Sequence, residues 1–173
     1  YLEYLTESDH ARLPERVIVY TETYPKDVAM VWERILKHPY VIGEFVWTGI
    51  DYLGETGIGR NFYTDHEKWG EHYHNVPQFP WHGAYCGDID LVGTRKPVSH
   101  YRETLWNATA PTYLAVREPD GWKGKIGTTQ WSVWPTYDHW TFAGWEGKPV
   151  VAEVYSRATR VRLTLNGKTV AEK

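Results

Sequence analysis

The chain has 173 residues, a formal net charge of −3 and an isoelectric point near 6.3. This length suits one ordinary domain or parts of two, and the slight negative charge argues against a nucleic-acid-binding protein. No run of about 18 apolar residues is present, so no membrane-spanning helix is predicted, and the single cysteine, Cys86, excludes an internal disulfide bond.

The first predicted elements form a strand–helix–strand unit. Residues 17–20 (VIVY) are a continuous, β-branched apolar run, which is typical of a strand buried on both faces. A helix ending before Pro39 is predicted next from apolar residues on one face, namely Val28, Val31, Trp32, Ile35 and Leu36. A second apolar run covers residues 41–47 (VIGEFVW). Strand, helix and strand within about 30 residues predict a β–α–β unit with parallel strands.

The middle of the chain, residues 48–85, shows no sustained helical or strand periodicity. Glycines and prolines interrupt it, yet its many aromatic residues argue against disorder. A long irregular stretch inside a domain is usually functional when it is ordered. After it, Pro97 begins a predicted helix with Val98, Tyr101 and Leu105 on one face.

Past Thr109 the sequence changes to a β pattern. Strands are predicted at residues 128–134, 150–155 and 161–165, and Asn166-Gly167 predicts a hairpin turn before a further strand. We interpret residues 110–173 as the start of a β-sandwich and residues 1–109 as the C-terminal part of an α/β domain. Because two parallel strands cannot cover their own faces, we expect most of that α/β domain to lie upstream.

Glu22 is the first candidate for chemistry, because it follows the predicted strand at residues 17–20 by two positions. The carboxyl ends of parallel strands form the edge where α/β proteins place their active sites. The alternative is a structural glutamate near a helix N-terminus, where the helix dipole favours a negative charge.

Other polar residues give weaker signals. His72-x-His74, with carboxylates nearby, could bind a metal, but no complete zinc pattern is present and a polar loop is the competing interpretation. We interpret Glu44 as a paired structural carboxylate. Asp51 and Glu55 lie just beyond the second predicted strand, where they could support a site.

Three motifs carry a resemblance to a known enzyme family. Residues 16–25 (RVIVYTETYP), 38–55 (HPYVIGEFVWTGIDYLGE) and 81–91 (WHGAYCGDIDL), followed by Arg95-Lys96-Pro97, resemble glycoside hydrolase family 2 and its bacterial β-galactosidase branch. Residues 150–170 are similar to the immunoglobulin-like domain that follows the catalytic barrel in many members. The resemblance implies the last two strand–helix units of a (β/α)8 TIM barrel in residues 1–109, followed by an incomplete immunoglobulin-like β-sandwich.

The resemblance also implies roles for four residues. Glu22 matches the nucleophile at the end of the seventh barrel strand, and Trp47 matches the tryptophan that lines the sugar pocket at the end of the eighth. Tyr85 and Asp88 match an aromatic and a polar residue that contact the bound sugar. We therefore expect these four side chains to face one cavity, and we predict no cofactor and no metal.

The implied activity is that of a retaining exo-β-glycosidase that hydrolyses β-galactosides, with a carbohydrate as the binding partner. The acid/base glutamate of the family lies in an Asn-Glu pair on an earlier strand, and no Asn-Glu pair occurs here. Because a retaining glycosidase needs two carboxyl groups, about 5–5.5 Å apart, we expect the isolated chain to be inactive. A surplus of 10 Trp and 13 Tyr over 4 Phe also favours a sugar-stacking surface, although a Trp-rich core has the same composition.

A neutral sugar is predicted as the substrate. Family members that act on glucuronides carry an Asn-x-Lys whose cation meets the sugar carboxylate, and the corresponding positions hold Cys86 and Asp88. Two other functions stay open: a carbohydrate-binding module without catalysis, and an inactive member of the family.

Overall fold

The computed structural model describes residues 1–65 and 81–173. Its helices and strands, in chain order, are α1 (Thr6–Arg12), β1 (Ile18–Thr23), α2 (Val28–Lys37), β2 (Val41–Val46), β3 (Tyr52–Leu53), β4 (Phe62–Tyr63), β5 (Gly83–Ala84), α3 (Pro97–Trp106), β6 (Tyr113–Arg117), β7 (Ile126–Gly127), β8 (Thr136–Tyr137), β9 (Ala152–Tyr155), β10 (Arg162–Leu165) and β11 (Lys168–Glu172). Short 3₁₀ turns precede α1 and α2.

The predicted β–α–β unit is confirmed. Strands β1 and β2 are parallel, α2 connects them, and Ile18 lies opposite Val41 in the strand register. Tyr20, Val31 and Val41 form the buried cluster where the helix packs on the two strands. A continuous β-branched run followed by an amphipathic helix was therefore enough to identify this unit.

The prediction that β1 is buried on both faces is wrong for the described residues. The side chains of Val17 and Val19 are 61% and 38% exposed, whereas Tyr20 is buried. Strand β1 pairs with β2 along one edge only in this part of the chain, and Val19 and Thr21 line an open cavity of about 640 Å³ together with α1. An apolar strand needs covering neighbours on both sides to be fully buried.

The irregular middle region is held together by two short antiparallel pairings. Strand β3 pairs with β5, and β4 pairs with β7 from the C-terminal part of the chain. Ile58, Ala84 and Cys86 form a buried cluster there, and burial raises the pKa of the Cys86 thiol to about 12. The described residues of this region are therefore ordered by tertiary contacts, as their aromatic composition indicated.

The helix predicted after Pro97 is confirmed as α3, with Pro97 in its first turn. It packs beside α2, where the rings of Trp32 and Trp106 lie 6.1 Å apart. Val98 is buried as predicted, but so is Arg102, a charged residue that the apolar pattern does not single out.

The C-terminal part contains an antiparallel sheet with strand order β8–β6–β9, and a separate hairpin of β10 and β11. The hairpin turn is confirmed at Asn166-Gly167, whose φ angles of 50° and 78° are those that this residue pair favours. The predicted strand at residues 150–155 is found as β9. Strand β6 was not predicted.

The predicted strand at residues 128–134 is wrong, because this segment is a loop between β7 and β8. The hydroxyl of Ser132 accepts a hydrogen bond from the Thr129 amide at 2.9 Å, and the Ser132 amide donates to the Thr129 carbonyl at 3.3 Å. These local bonds close a turn, which competes with strand pairing for the same backbone groups.

The β6–β9 pair packs directly against α3. The rings of His100 and Tyr113 stack at 3.9 Å, and those of Tyr101 and Tyr155 lie 5.2 Å apart. The Arg157 guanidinium donates to the Thr104 carbonyl at 3.0 Å. Residues on the two sides of position 109 therefore share one packed interface.

The fold is thus a mixed arrangement of helices and small sheets. The described residues form one parallel strand pair and no closed barrel. In this part of the chain, no helix has the length and apolar character that crossing a membrane requires.

Candidate active site

Glu22 lies near the carboxyl end of β1 and is partly buried. Its Oε1 accepts a hydrogen bond from the hydroxyl of Tyr1. The ring of Tyr1 stacks on that of Tyr24 at 4.1 Å, which holds this hydroxyl beside the carboxylate. Glu22 is therefore a half-buried carboxylate that is oriented by a tyrosine.

Trp47 follows β2 immediately and lies at the same edge of the strand pair. Its amide donates to the carbonyl of Thr23, the residue after Glu22, at 3.0 Å. The peptide bond between Trp47 and Thr48 is cis. Trp47 is 38% exposed as a whole residue, so part of it is open to a ligand.

A second tyrosine and a second carboxylate support Trp47. The indole N–H donates to the Tyr52 hydroxyl at 3.0 Å, and that hydroxyl donates to Glu55. Burial and the hydrogen bond to Glu55 both raise the pKa of Tyr52, so its hydroxyl stays protonated. Glu55 thus takes part in holding the tryptophan, consistent with the supporting position that its sequence location suggested.

The carboxylate of Asp88 is paired with an arginine of α3. It is buried against α3, where Oδ2 accepts from Arg102 Nε at 2.7 Å and Oδ1 accepts from a second guanidinium nitrogen at 3.4 Å. Both carboxylate oxygens are therefore engaged by Arg102. The Asp88 side chain is only 12% exposed, so little of this carboxylate is open to a ligand.

Glu44 completes a buried network around the same arginine. Its Oε1 lies 3.6 Å from the Arg102 guanidinium, and its Oε2 accepts from the Thr23 hydroxyl at 2.7 Å. Burial raises the pKa of Glu44 more than these partners lower it. The network joins β1, β2, α3 and the loop of Asp88, and it fixes the strand end that carries Glu22.

Tyr85 packs against a second tryptophan, Trp81. Its ring meets the edge of the Trp81 ring at 5.0 Å, and the Arg60 guanidinium lies 5.2 Å from the centre of the Trp81 ring. Trp81 and Tyr85 line a cleft of about 870 Å³, whose described lining does not include Glu22 or Trp47. Glu22 and Trp47 thus lie at the same edge of the strand pair, and the expectation that the four residues share one cavity stays a prediction.

The loop of residues 86–88 approaches β3 closely at Gly87. The Gly87 amide donates to Asp51 Oδ1 at 2.7 Å, and Lys96 Nζ donates to the same oxygen at 2.6 Å. Lys96 also donates to the Tyr85 carbonyl at 2.9 Å. Asp51 is therefore a buried anchor for this loop.

Replacing Gly87 with alanine is expected to lower the unfolding free energy by about 1–3 kcal/mol, because overpacking of this kind strains the backbone. An added Cβ would lie 2.2 Å from the Asp51 amide nitrogen. Gly49→Ala is the matched control, since nothing lies within 4 Å of a Cβ at that position. Thermal unfolding of the two variants checks this, and equal midpoints would contradict the close approach.

The loop at residues 128–134 brings further residues to Glu22 that sequence reasoning missed. The Tyr24 hydroxyl donates to Gln130 Oε1 at 2.9 Å, and the indole N–H of Trp131 donates to the Tyr1 hydroxyl at 3.1 Å. The surplus of tryptophan was the only signal in the sequence, because the strand prediction for this segment gave no reason to place it near Glu22.

No metal site is evident in the part of the chain that the structure describes. Within residues 1–65 and 81–173, no three His, Cys, Asp or Glu side chains are grouped so that they could hold a metal ion. The possible ligands His72 and His74 lie outside the described residues.

Comparison with solved structures identifies relatives over the whole chain. A crystal structure of a glycosyl hydrolase family 2 member from Bacteroides cellulosilyticus superposes with a TM-score of 0.82 and 34% sequence identity, covering 100% of this chain and 22% of that chain. A family 2 member from Bacteroides cellulosilyticus DSM 14838 gives a TM-score of 0.71 and 29% identity, covering 100% of this chain and 19% of that chain.

No protein-family model and no curated protein matches the chain. The two structural relatives nevertheless agree with the family that the sequence motifs indicate. The chain spans about one fifth of the length of these relatives. It is therefore similar, over its whole length, to a segment of glycoside hydrolase family 2 proteins.

Proposed function

We propose that the chain is part of a longer retaining exo-β-glycosidase that hydrolyses terminal β-galactosides, with Glu22 as the nucleophile. The observation that carries this proposal is the pairing of Glu22 and Trp47 at the carboxyl edge of two parallel strands, in a chain similar to family 2. Among the described residues β1 pairs along one edge only, and its other edge fits the additional strand that a barrel would place beside it.

The proposed reaction is a double displacement. In the first step, a carboxylate oxygen of Glu22 bonds to the anomeric carbon while the bond to the leaving oxygen breaks, and that oxygen takes a proton from an acid/base carboxyl. In the second step, the acid/base removes a proton from water, the water oxygen bonds to the anomeric carbon, and the electron pair returns to Glu22. The acid/base group belongs, by the family resemblance, to an upstream Asn-Glu pair, so the isolated chain is not expected to turn over substrate.

Trp47 is proposed as the platform for the sugar ring. Its indole is partly exposed and is braced by Tyr52, so its orientation is set before a ligand arrives. An aromatic face suits the apolar C–H patch of a hexose. We keep Tyr85 as a substrate contact in the proposal, at the cleft that it shares with Trp81. Asp88 is reassigned to a structural role, because Arg102 engages both of its carboxylate oxygens.

A neutral sugar remains the proposed substrate. By the family resemblance, members that act on glucuronides carry a lysine at the position of Asp88. This chain has an aspartate there, and it is already paired with Arg102. No cation is therefore supplied at this position to meet a sugar carboxylate. A sugar carboxylate would therefore lack, at position 88, the cationic partner that glucuronide-specific members supply there.

The test is hydrolysis by the full-length protein that carries this segment. We expect kcat/KM for a nitrophenyl β-galactoside to exceed that for the β-glucuronide by at least about 10²-fold. Proton NMR should show the β-anomer of galactose as the first product, as retention requires. Preference for the glucuronide would contradict the proposed substrate, and release of the α-anomer would contradict the mechanism.

Two other functions would give different outcomes in the same experiment. Saturable galactose binding without any turnover would identify a carbohydrate-binding module. Absence of both binding and turnover would identify an inactive relative. The oriented carboxylate at Glu22 favours the enzyme over the binding module, because a binding module needs aromatic platforms but no nucleophile.

A further inference from the structure

Trp131 lies in the loop between β7 and β8, yet its side chain reaches the residues around Glu22. Its indole N–H donates to the Tyr1 hydroxyl at 3.1 Å, and that hydroxyl donates to Glu22 Oε1. We propose that Trp131 is a positioning residue for the nucleophile and acts through Tyr1. This inference rests on the proposed role of Glu22 as nucleophile.

The direction of the two hydrogen bonds makes them act together. Tyr1 has one hydroxyl proton, which it gives to Glu22, and its oxygen is then free to accept the indole N–H. Accepting this bond polarises the hydroxyl and makes it a better donor to the carboxylate. The indole also fixes the position of the hydroxyl, which could otherwise rotate away from Glu22.

Aromatic packing limits the movement of the three rings. Tyr1 stacks on Tyr24 at 4.1 Å with an interplanar angle of 19°, and the edge of Trp131 meets Tyr24 at 5.3 Å with an angle of 81°. Stacked and edge-to-face contacts of this kind are favourable geometries for aromatic pairs. The two hydrogen bonds that run from Trp131 through Tyr1 to Glu22, called the relay below, are therefore held in one arrangement.

The loop that carries Trp131 is itself anchored. The Ser132 hydroxyl donates a hydrogen bond to the Arg60 carbonyl at 2.8 Å and accepts one from the Thr129 amide. Trp131 packs against the buried cluster that contains Ala84 and Cys86. A functional group is positioned best when the residues behind it are fixed by packing and hydrogen bonds. The loop thus supplies a preorganised donor.

The relay assigns different tasks to the two oxygens of Glu22. Tyr1 binds Oε1, which leaves Oε2 to form the bond to the anomeric carbon. When that bond breaks in the second step, charge returns to the carboxylate, and the Tyr1 hydroxyl is in place to stabilise it. Loss of the relay should therefore lower kcat and leave KM nearly unchanged.

The experiment compares Trp131→Phe with Trp122→Phe in the full-length protein. Trp122 is a close match, because its indole N–H donates to the Ala143 carbonyl at 2.8 Å and its ring meets the edge of Phe142 at 5.1 Å. Both variants keep an aromatic ring and lose one N–H donor. We expect kcat for the β-galactoside to fall about fivefold in Trp131→Phe, with KM within about twofold, and to stay unchanged in Trp122→Phe.

A double-mutant cycle with Tyr1→Phe tests whether Trp131 acts through Tyr1. Tyr1→Phe removes the bond to a charged group and should lower kcat by about tenfold or more. The kcat of the double variant should be no lower than that of Tyr1→Phe alone, because without the Tyr1 hydroxyl the indole N–H no longer acts on Glu22. Equal kcat for Trp131→Phe and Trp122→Phe, or effects that multiply in the double variant, would overturn the proposal.

Three further outcomes are informative, and the last two separate the inference from the proposed function. If Trp131→Phe does not fold, an unchanged kcat in Tyr1→Phe would still overturn the proposal, because Trp131 would then have no relay through which to act. If Glu22→Gln retains activity, the nucleophile assignment fails, and the relay with it. If Glu22→Gln is inactive while Trp131→Phe behaves like Trp122→Phe, only the present inference fails.

Discussion

Replacing Glu22 with glutamine in the full-length protein is expected to lower kcat for a β-galactoside by on the order of 10⁴-fold, the scale seen when a nucleophile is removed. Glutamine keeps the shape of the side chain and an oxygen that can accept the Tyr1 hydroxyl, but it cannot attack the anomeric carbon. Binding of galactose and the thermal unfolding midpoint should change little, because the fold-determining contacts remain. Steady-state kinetics and thermal unfolding check this.

Glu55→Gln is the control for this substitution. Glu55 also accepts a tyrosine hydroxyl and lies near Trp47, so the variant makes the same chemical change at the competing carboxylate. We expect its kcat to fall by less than about tenfold, the cost of weakening one supporting hydrogen bond. A Glu55 variant that is inactive while Glu22→Gln is active would assign the nucleophile to Glu55.

Replacing Arg102 with methionine is expected to destabilise the protein by about 3–5 kcal/mol. The arginine is the cation between the buried carboxylates of Asp88 and Glu44, and removing it leaves both without a positive partner among residues 1–65 and 81–173. Methionine fills a similar volume, so the loss of stability comes from the two unpaired carboxylates and not from a cavity. Urea or thermal unfolding of the full-length protein measures the effect on the transition that includes this segment.

Arg95→Met is the matched control, since Arg95 forms a salt bridge with Glu103 at 2.7 Å in a largely exposed position. Surface pairs of this kind contribute at most about 1 kcal/mol. If Arg102→Met and Arg95→Met lost similar amounts of unfolding free energy, the inference that the buried network depends on Arg102 would be contradicted.

The effect of Arg102→Met should also depend on pH. Burial already raises the pKa of Glu44, and loss of the neighbouring cation removes an influence that lowers it. When the pKa of a carboxyl group is higher in the folded state than in the unfolded state, its contribution to the unfolding free energy is most favourable below the unfolded-state pKa. That contribution is lost as the pH rises through the folded-state pKa. The stability difference between variant and wild type should therefore shrink as the pH falls toward the ordinary range of a glutamate.

Local sequence patterns determined the secondary elements around the site. The run at residues 17–20, the apolar spacing of α2 and the Asn166-Gly167 turn each depend on near neighbours in the chain, and each is found where it was predicted. The family motifs likewise lie in continuous stretches, which is why the resemblance to glycoside hydrolase family 2 was visible before the fold.

Tertiary structure alone decided how the polar side chains are paired. Arg102 lies 14 positions after Asp88, and its burial depends on how α3 packs against the strands, which the apolar spacing of α3 does not specify. Trp131 meets Tyr1 across 130 positions of sequence, and its loop replaced a predicted strand because local hydrogen bonds of Ser132 closed a turn. Sequence periodicity reports which face of an element is apolar, whereas the partner of a buried charge or an indole N–H is set by residues distant in the chain. For this reason the position of Glu22 at a strand end could be predicted from the sequence, while the residues that orient it could not.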